Sequence, residues 1–262
     1  MVYHCLGKGK RTRVWGGAII CWVCFMVITP KIPHSPNHHL FADMRNFLGI
    51  PNTLNVITNF PFLVVGVLGF VLCLQGDAFL IRSRGETLSW ALFYAGITAV
   101  AFGSAYYHLK PNDDRVMWDS LPMTIAYSSV FSSLIVERAG DRIGLSCLFT
   151  LLVLAFVSTT CERKFDDLRL HMMFQLIPCV AIPVTAFMFP SKYTHSRYWL
   201  FAAGLYVMSK LEALGDMKIY KTNNYFISGH SLEHLSLVMA PLLYSLMLMF
   251  RSHKIQRLGD LK

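Results

Sequence analysis

Residues 227–241 read ISGHSLEHLSLVMAP and place His230 and His234 four positions apart at the head of an apolar run. Residues four apart share one face of a helix, so the two imidazoles are expected to point the same way. An ionisable side chain in a segment that can enter a bilayer is costly, and it normally faces a partner, a cavity or a metal. The stretch therefore predicts a membrane helix whose first turns carry chemistry.

The whole chain has the composition of an integral membrane protein. Of its 262 residues, 54% are hydrophobic and 15% are charged, and the mean hydropathy is +0.45. Because a bilayer core needs about 20 mostly apolar residues per helix, windows bounded by charges and turns predict the membrane spans. They are 14–29, 54–75, 87–108, 116–138, 143–160, 171–189, 197–215 and 230–250. The first follows a basic run and no small-x-small cleavage site succeeds it, which favours an uncleaved anchor over a cleaved signal peptide.

These spans predict an all-α membrane protein, a seven-transmembrane-helix bundle with an additional N-terminal hydrophobic helix. Of the 24 lysines and arginines, 14 fall on the side of the N-terminus, 9 on the other side and one within a span, so both termini are expected in the cytosol. The net charge of +9 is dispersed among short loops and tails, which favours lipid headgroups over nucleic acid as the partner. The predicted parts are a basic N-terminus and hydrophobic anchor (1–29), a non-cytosolic loop (30–53), a seven-helix core (54–250) and a basic cytosolic tail (251–262).

Polar residues at two further span ends are expected to meet the histidine pair. Ser104 and His108 lie four apart at the end of one predicted span, and Asp119 lies near the start of the next. An antiparallel helix pair brings these residues to one membrane face, and the eight-span topology puts His230 and His234 on that same face. The residues are therefore predicted to converge at one depth.

Three imidazoles match the ligand count of a catalytic zinc site whose fourth position is open to water. In that interpretation His108, His230 and His234 bind zinc, Asp119 is the general base, and Ser104 donates a hydrogen bond to an oxyanion. Structural alternatives stay open at this point. A lone intramembrane histidine is more often hydrogen-bonded to a neighbouring helix, Asp119 can orient His108, and Ser104 can bond to its own helix carbonyl.

Other polar residues are given structural roles. Lys210, Glu212 and Asp216, near the end of one span, favour a packing or gating ion pair. Glu233 completes H-x-x-E-H, which is also a metalloprotease pattern, but the membrane surroundings disfavour that interpretation. The remaining histidines lie in loops or at helix ends and are expected to be solvated: His34, His38, His39, His171, His195 and His253.

The order Ser104-x-x-x-His108, Asp119, then His230-x-x-x-His234 in the last helix resembles the alkaline ceramidases, including the phytoceramidase-like members, of the CREST superfamily of seven-helix membrane hydrolases. The resemblance covers roughly residues 38–250 and includes the stretch 55–59. It implies a zinc held by the three histidines with the serine and the aspartate beside it. It also implies hydrolysis of ceramide or phytoceramide to a long-chain base and a fatty acid, a lipid substrate drawn from the bilayer, and an endoplasmic reticulum or Golgi membrane.

The chain departs from that family before its first core helix. Animal alkaline ceramidases carry an acidic calcium-binding stretch there, whereas residues 38–47 of this chain contain Asp43 as the sole carboxylate. One carboxylate offers too few hard oxygens for a calcium site, so the sequence does not support calcium dependence beside the expected zinc. The competing hypothesis is a receptor-like membrane protein with a structural zinc and little or no catalysis. Ser104 and Asp119 favour the enzyme, because a purely structural zinc needs neither.

Overall fold

The computed structural model describes residue 24 and residues 26–35, 37, 39–47 and 49–254. In that part the chain is all-helical, and its β-structure is limited to two isolated bridges. The helices are α1 (Thr53–Ile57), α2 (Phe60–Gln75), α3 (Arg84–Leu109), α4 (Asp113–Ala139), α5 (Asp141–Phe165), α6 (Arg169–Leu176), α7 (Ile182–Met188), α8 (Tyr198–Leu214), α9 (Asp216–Thr222), α10 (Gly229–Leu237) and α11 (Met239–Phe250), and a π-helical turn, Ile177–Ala181, joins α6 to α7. The prediction of an all-helical chain is confirmed.

Five stretches of the described chain are long and apolar enough to cross a membrane. They correspond to predicted spans and support a multi-pass membrane protein: Thr53–Gln75, Arg84–Leu109, Asp141–Phe165, Arg169–Met188 and Gly229–Phe250. The predicted spans 116–138 and 197–215 are also helical, as α4 and α8. However, α8 has only 17 residues and α4 buries a row of serines and threonines inside the bundle. The seven-helix count therefore stays a prediction, and the span 14–29 lies largely outside the described residues.

Side-chain caps set the start of the helices that carry the site. The Ser83 hydroxyl accepts a hydrogen bond from the Glu86 amide at 3.1 Å and starts α3. Asn112 caps α4, and the Ser228 hydroxyl accepts from the Ser231 amide at 3.1 Å to start α10. Each cap satisfies an amide at the helix end that has no partner within the helix. The capping residues thereby fix which turn of α10 presents the histidines.

Close contact between α3 and α4 brings the predicted site residues together. A Cβ at Gly103 would overlap the carbonyl oxygen of Trp118, and a Cβ at Gly96 would lie 3.2 Å from Ala126. Glycine lets the two backbones approach as they do at small-residue interfaces in membranes. Because Gly103 and Trp118 are the sequence neighbours of Ser104 and Asp119, this contact also sets the separation between those two polar side chains.

A buried charge network closes the opposite end of the bundle. The Arg251 guanidinium, just after α11, lies 2.9 Å from a Glu86 oxygen and 3.5 Å from a Glu137 oxygen. The side chains of these three residues are at most 2% exposed, and the Tyr193 hydroxyl donates to Glu86 at 2.9 Å. Since buried charges need partners, the network ties the start of α3 and the end of α4 to the segment that follows α11.

Candidate metal centre

Three histidines from two helices converge at one end of the bundle. His108 lies in the last turn of α3, and His230 and His234 lie in the first turns of α10. One ring nitrogen of each histidine lies within 4.8 Å of those of the other two, and the Nε2 atoms of His108 and His230 are 3.2 Å apart. His108 and His234 are buried, and His230 is half-buried. The three residues form a group that could hold a metal ion.

Hydrogen bonds set the tautomers of the two histidines on α10. The Thr58 hydroxyl donates its proton to the Leu54 carbonyl at 2.7 Å, so it can only accept from His234 Nδ1, which is 2.9 Å away. A Glu233 oxygen lies 3.2 Å from His230 Nδ1, and an ionised carboxylate can only accept. Both histidines therefore carry their proton on Nδ1, assigned here from their partners. Each leaves the Nε2 lone pair free for a metal.

His108 is the least satisfied member of the group. Its Nδ1 is buried without a hydrogen-bond partner among the described residues, while its Nε2 faces His230 Nε2. Its backbone is fixed, because the Asn52 side-chain amide donates to the His108 carbonyl at 2.8 Å. Three imidazole nitrogens that face one another suit zinc, copper, iron or nickel better than calcium or magnesium, which prefer oxygen ligands. The donor set thus fits a zinc ion.

Ser104 lies on the helix that carries His108, and Asp119 lies on the next helix. Ser104 is 2% exposed and sits one helical turn before His108. Its hydroxyl is within hydrogen-bonding reach of the Asp119 carboxylate, and that carboxylate interacts electrostatically with His230. His108 Nδ1 has no hydrogen-bond partner in the described chain, so it does not donate to Asp119.

The loop before α1 covers the histidines. The Phe41 ring centroid lies 4.7 Å from those of both His108 and His230. The Asp216 carboxylate links this loop to α10, because it accepts from the amides of Ala42 and His230 at 2.8 Å each. The packing of Phe41 against His108 and His230 was not expected from the sequence.

Asp43 and Arg45 brace the same loop. The carboxylate accepts two side-chain hydrogen bonds from the guanidinium, at 2.9 and 2.7 Å, and Arg45 also donates to the Phe226 carbonyl at 2.8 Å. Burial raises the pKa of Asp43, but the hydrogen bonds and charge of Arg45 outweigh it and hold that pKa below its ordinary value. The one carboxylate of residues 38–47 is thus occupied by an internal ion pair.

The expectation that the loop histidines are solvated was wrong for three of them. His34 contacts two acidic residues. It lies 3.2 Å from an oxygen of Glu162, on α5, and 2.8 Å from an oxygen of Asp166, the C-cap of α5. His39 contacts Tyr107 at 3.0 Å and Asp113 at 2.9 Å, and His171 lies 3.9 Å from Glu162. The contacts of His34 and His39 join parts of the chain that are far apart in sequence, so periodicity could not have indicated them. His38 lies outside the described residues.

Two partners of the histidines were not assigned from the sequence. Glu233 is three residues after His230, and this spacing on a helix does signal a contact. Thr58 lies 176 positions from His234, and the sequence carries no sign of their pairing. A packing or gating ion pair was expected among Lys210, Glu212 and Asp216, but Lys210 pairs with Glu233 at 2.6 Å and Asp216 accepts from backbone amides.

Comparison with known families identifies the family of the chain. The family model described as Ceramidase matches residues 49–208, more than half of the sequence. This chain belongs to the ceramidase family. The match contains Ser104, His108 and Asp119, whereas His230 and His234 lie beyond it. No curated protein shows significant similarity to the chain.

Family membership implies an amide hydrolase, and the apolar helices suit a lipid substrate within the membrane. Two apolar spaces lie within or along the helix bundle. A cavity of about 40 Å³ inside the bundle is lined by Phe62 and Leu237, among other apolar residues. A groove of about 750 Å³ runs along α3 and α4 and is lined by Gly103 and Trp118, the neighbours of Ser104 and Asp119, together with other mainly apolar residues.

Proposed function

We propose that the chain is a zinc-dependent intramembrane amidase that hydrolyses ceramide or phytoceramide to a long-chain base and a fatty acid. The observation that carries the proposal is the convergence of His108, His230 and His234 in a chain of the ceramidase family. Such a zinc ion, when bound, would supply a Lewis acid that polarises the scissile carbonyl and activates water. His108, His230 and His234 would hold it.

Two residues of the chain would move the protons and hold the charge. Asp119 would take a proton from the attacking water as the carbon–oxygen bond forms, and it would deliver that proton to the leaving nitrogen as the carbon–nitrogen bond breaks. Ser104 would donate a hydrogen bond to the oxyanion that develops on the carbonyl oxygen. The reach between Ser104 and Asp119 supports a shared site for both roles.

The apolar groove along α3 and α4 supports a substrate that arrives from the bilayer. Its lining includes Gly103 and Trp118, the sequence neighbours of Ser104 and Asp119, and it faces outward, where Phe102 and Trp118 are more than half exposed. The inner cavity is too small for an acyl chain without movement of the helices, because about 40 Å³ holds roughly one water molecule. We place the acyl chain in the groove, in an endoplasmic reticulum or Golgi membrane, with both termini of the protein in the cytosol.

The test compares Asp119→Asn and Ser104→Ala with the parent in purified, detergent-solubilised protein at matched zinc content. Fatty acid released from a panel of ceramides, phytoceramides and acyl esters is measured. Loss of a general base typically costs about 10²–10⁴-fold in rate, and loss of the serine should cost a comparable or smaller factor. Asp114→Asn is the matched control, because Asp114 lies on the same helix and its side chain is 90% exposed.

Two results would contradict the proposal. A parent-like rate in Asp119→Asn would remove the general-base role of Asp119. If folded, zinc-loaded parent cleaved none of the lipids, the receptor-like protein with a structural zinc would take precedence. That alternative predicts that Asp119→Asn alters zinc affinity or stability, with no turnover to lose.

A further inference from the structure

Three polar side chains contact one another in sequence, from His230 of the histidine group through Glu233 to Lys210 on α8. His230 Nδ1 lies 3.2 Å from one oxygen of Glu233, and the Lys210 ammonium on α8 lies 2.6 Å from the other oxygen. The Glu233 side chain is 9% exposed and that of Lys210 is 27% exposed. Both oxygens of one carboxylate are thus used, one by a histidine of the site and one by a cation from another helix.

We infer that Glu233 and Lys210 are positioning residues for His230, an inference that rests on the proposed zinc site. Glu233 accepts the proton of Nδ1, so the Nε2 lone pair is kept free and the ring is held toward His108. Carboxylates that accept from the far nitrogen of a metal-bound histidine fix its tautomer and orientation in this way. Neither residue contacts the reacting atoms in this scheme.

Lys210 acts on Glu233 and does not contact His230 itself. A carboxylate at this depth needs a cationic partner, and the ammonium also selects which Glu233 oxygen remains for His230. The lysine is itself held over the Tyr206 ring, 5.4 Å from its centroid, and it interacts electrostatically with Asp119. The pair therefore connects α8 and α10 at the level of the site and fixes the rotation of the glutamate side chain.

The geometry makes a specific prediction for Glu233→Gln. Glutamine has one oxygen, and the Lys210 ammonium, which can only donate, would take it. The glutamine NH2 group would then face His230 Nδ1 and force the tautomer with its proton on Nε2, where the metal would bind. Zinc affinity should fall about 10–100-fold, as it does when partners of metal ligands are removed.

The double variant Lys210→Met/Glu233→Gln separates positioning from a general loss of structure. Without the ammonium, the glutamine oxygen is free to accept from His230 Nδ1, and the correct tautomer returns. The double variant should therefore bind zinc more tightly than Glu233→Gln alone, although it removes more of the native contacts. Glu212→Gln is the matched control on the lysine's helix, and its zinc affinity should equal that of the parent.

Zinc affinity is measured with Zn²⁺ alone by competition with a chromophoric chelator on full-length protein in detergent, and metal-free thermal unfolding is recorded beside it. A parent-like affinity in Glu233→Gln, or a double variant as weak as that single variant, overturns the inference. If Glu233→Gln does not fold, Glu233→Asp is tested in its place, since the shorter carboxylate cannot reach both partners. A parent-like zinc affinity in Glu233→Asp would also overturn the inference. A parent that binds no zinc would instead contradict the proposed function.

Discussion

Replacing Thr58 by valine tests whether the partner of His234 controls metal binding. The hydroxyl accepts from His234 Nδ1 at 2.9 Å, and both residues are 7% exposed. Valine keeps the shape of threonine and removes the acceptor, so the imidazole must either bury an unpaired N–H or move its proton to Nε2. The first choice costs about 1–3 kcal/mol, and the second blocks the nitrogen that the metal needs.

Both choices weaken metal binding, and the cost of the first sets the expected size of the effect. Because about 1.4 kcal/mol corresponds to a factor of ten in affinity, a cost of about 1–3 kcal/mol predicts zinc binding weaker by a factor of about 5–150. In the metal-free protein the imidazole proton can move to Nε2, so Nδ1 is not left as an unpaired N–H. The thermal stability of the metal-free protein should therefore change less than the zinc affinity does. This separation between the two measurements distinguishes an effect on tautomer from an effect on folding.

The assay is chelator competition for zinc in purified protein, with thermal unfolding of the metal-free form measured in parallel. Thr58→Ser is the control, because it keeps the hydroxyl and should bind zinc like the parent. If Thr58→Val retained the parent's affinity while the serine variant did so too, the tautomer argument would be wrong. Equal losses in stability and affinity would instead point to damage to the fold.

The remaining predictions concern packing, the charge network and the covering loop. Gly103→Ala should destabilise the protein by about 1–3 kcal/mol through overpacking, whereas Gly204→Ala, with no atom within 4 Å of the new Cβ, should be neutral or slightly stabilising in the same thermal unfolding assay. Arg251→Met should cost about 3–5 kcal/mol, because it leaves the buried Glu86 carboxylate without its cationic partner, and a folded variant with parent-like stability would refute this. Phe41→Ala should let a water-soluble chelator remove zinc faster, while Phe47→Ala, in the same loop and 43% exposed, should not; equal removal rates in the two variants would show that Phe41 does not cover the site.

The sequence was sufficient to predict a helical chain with membrane helices and the convergence of the three histidines. Long apolar windows indicated the membrane helices, because the backbone must satisfy its own hydrogen bonds in lipid. The spacing of His230 and His234 put both on one helix face, and the short connection between α3 and α4 brought His108 and Asp119 to the same end. These inferences use only periodicity and chain connectivity, which are local properties of a sequence.

Other features depended on the packed bundle. Thr58 contacts His234 across 176 positions, and Lys210 reaches Glu233 from another helix. Phe41 comes from a loop without helical periodicity. Such contacts depend on how each helix is rotated and how closely it approaches its neighbour, which is decided by close contacts such as that at Gly103. The sequence therefore determined which groups could bind a metal, and the tertiary structure decided their tautomers, their partners and their cover, because these are set by side chains that meet only after the helices have packed.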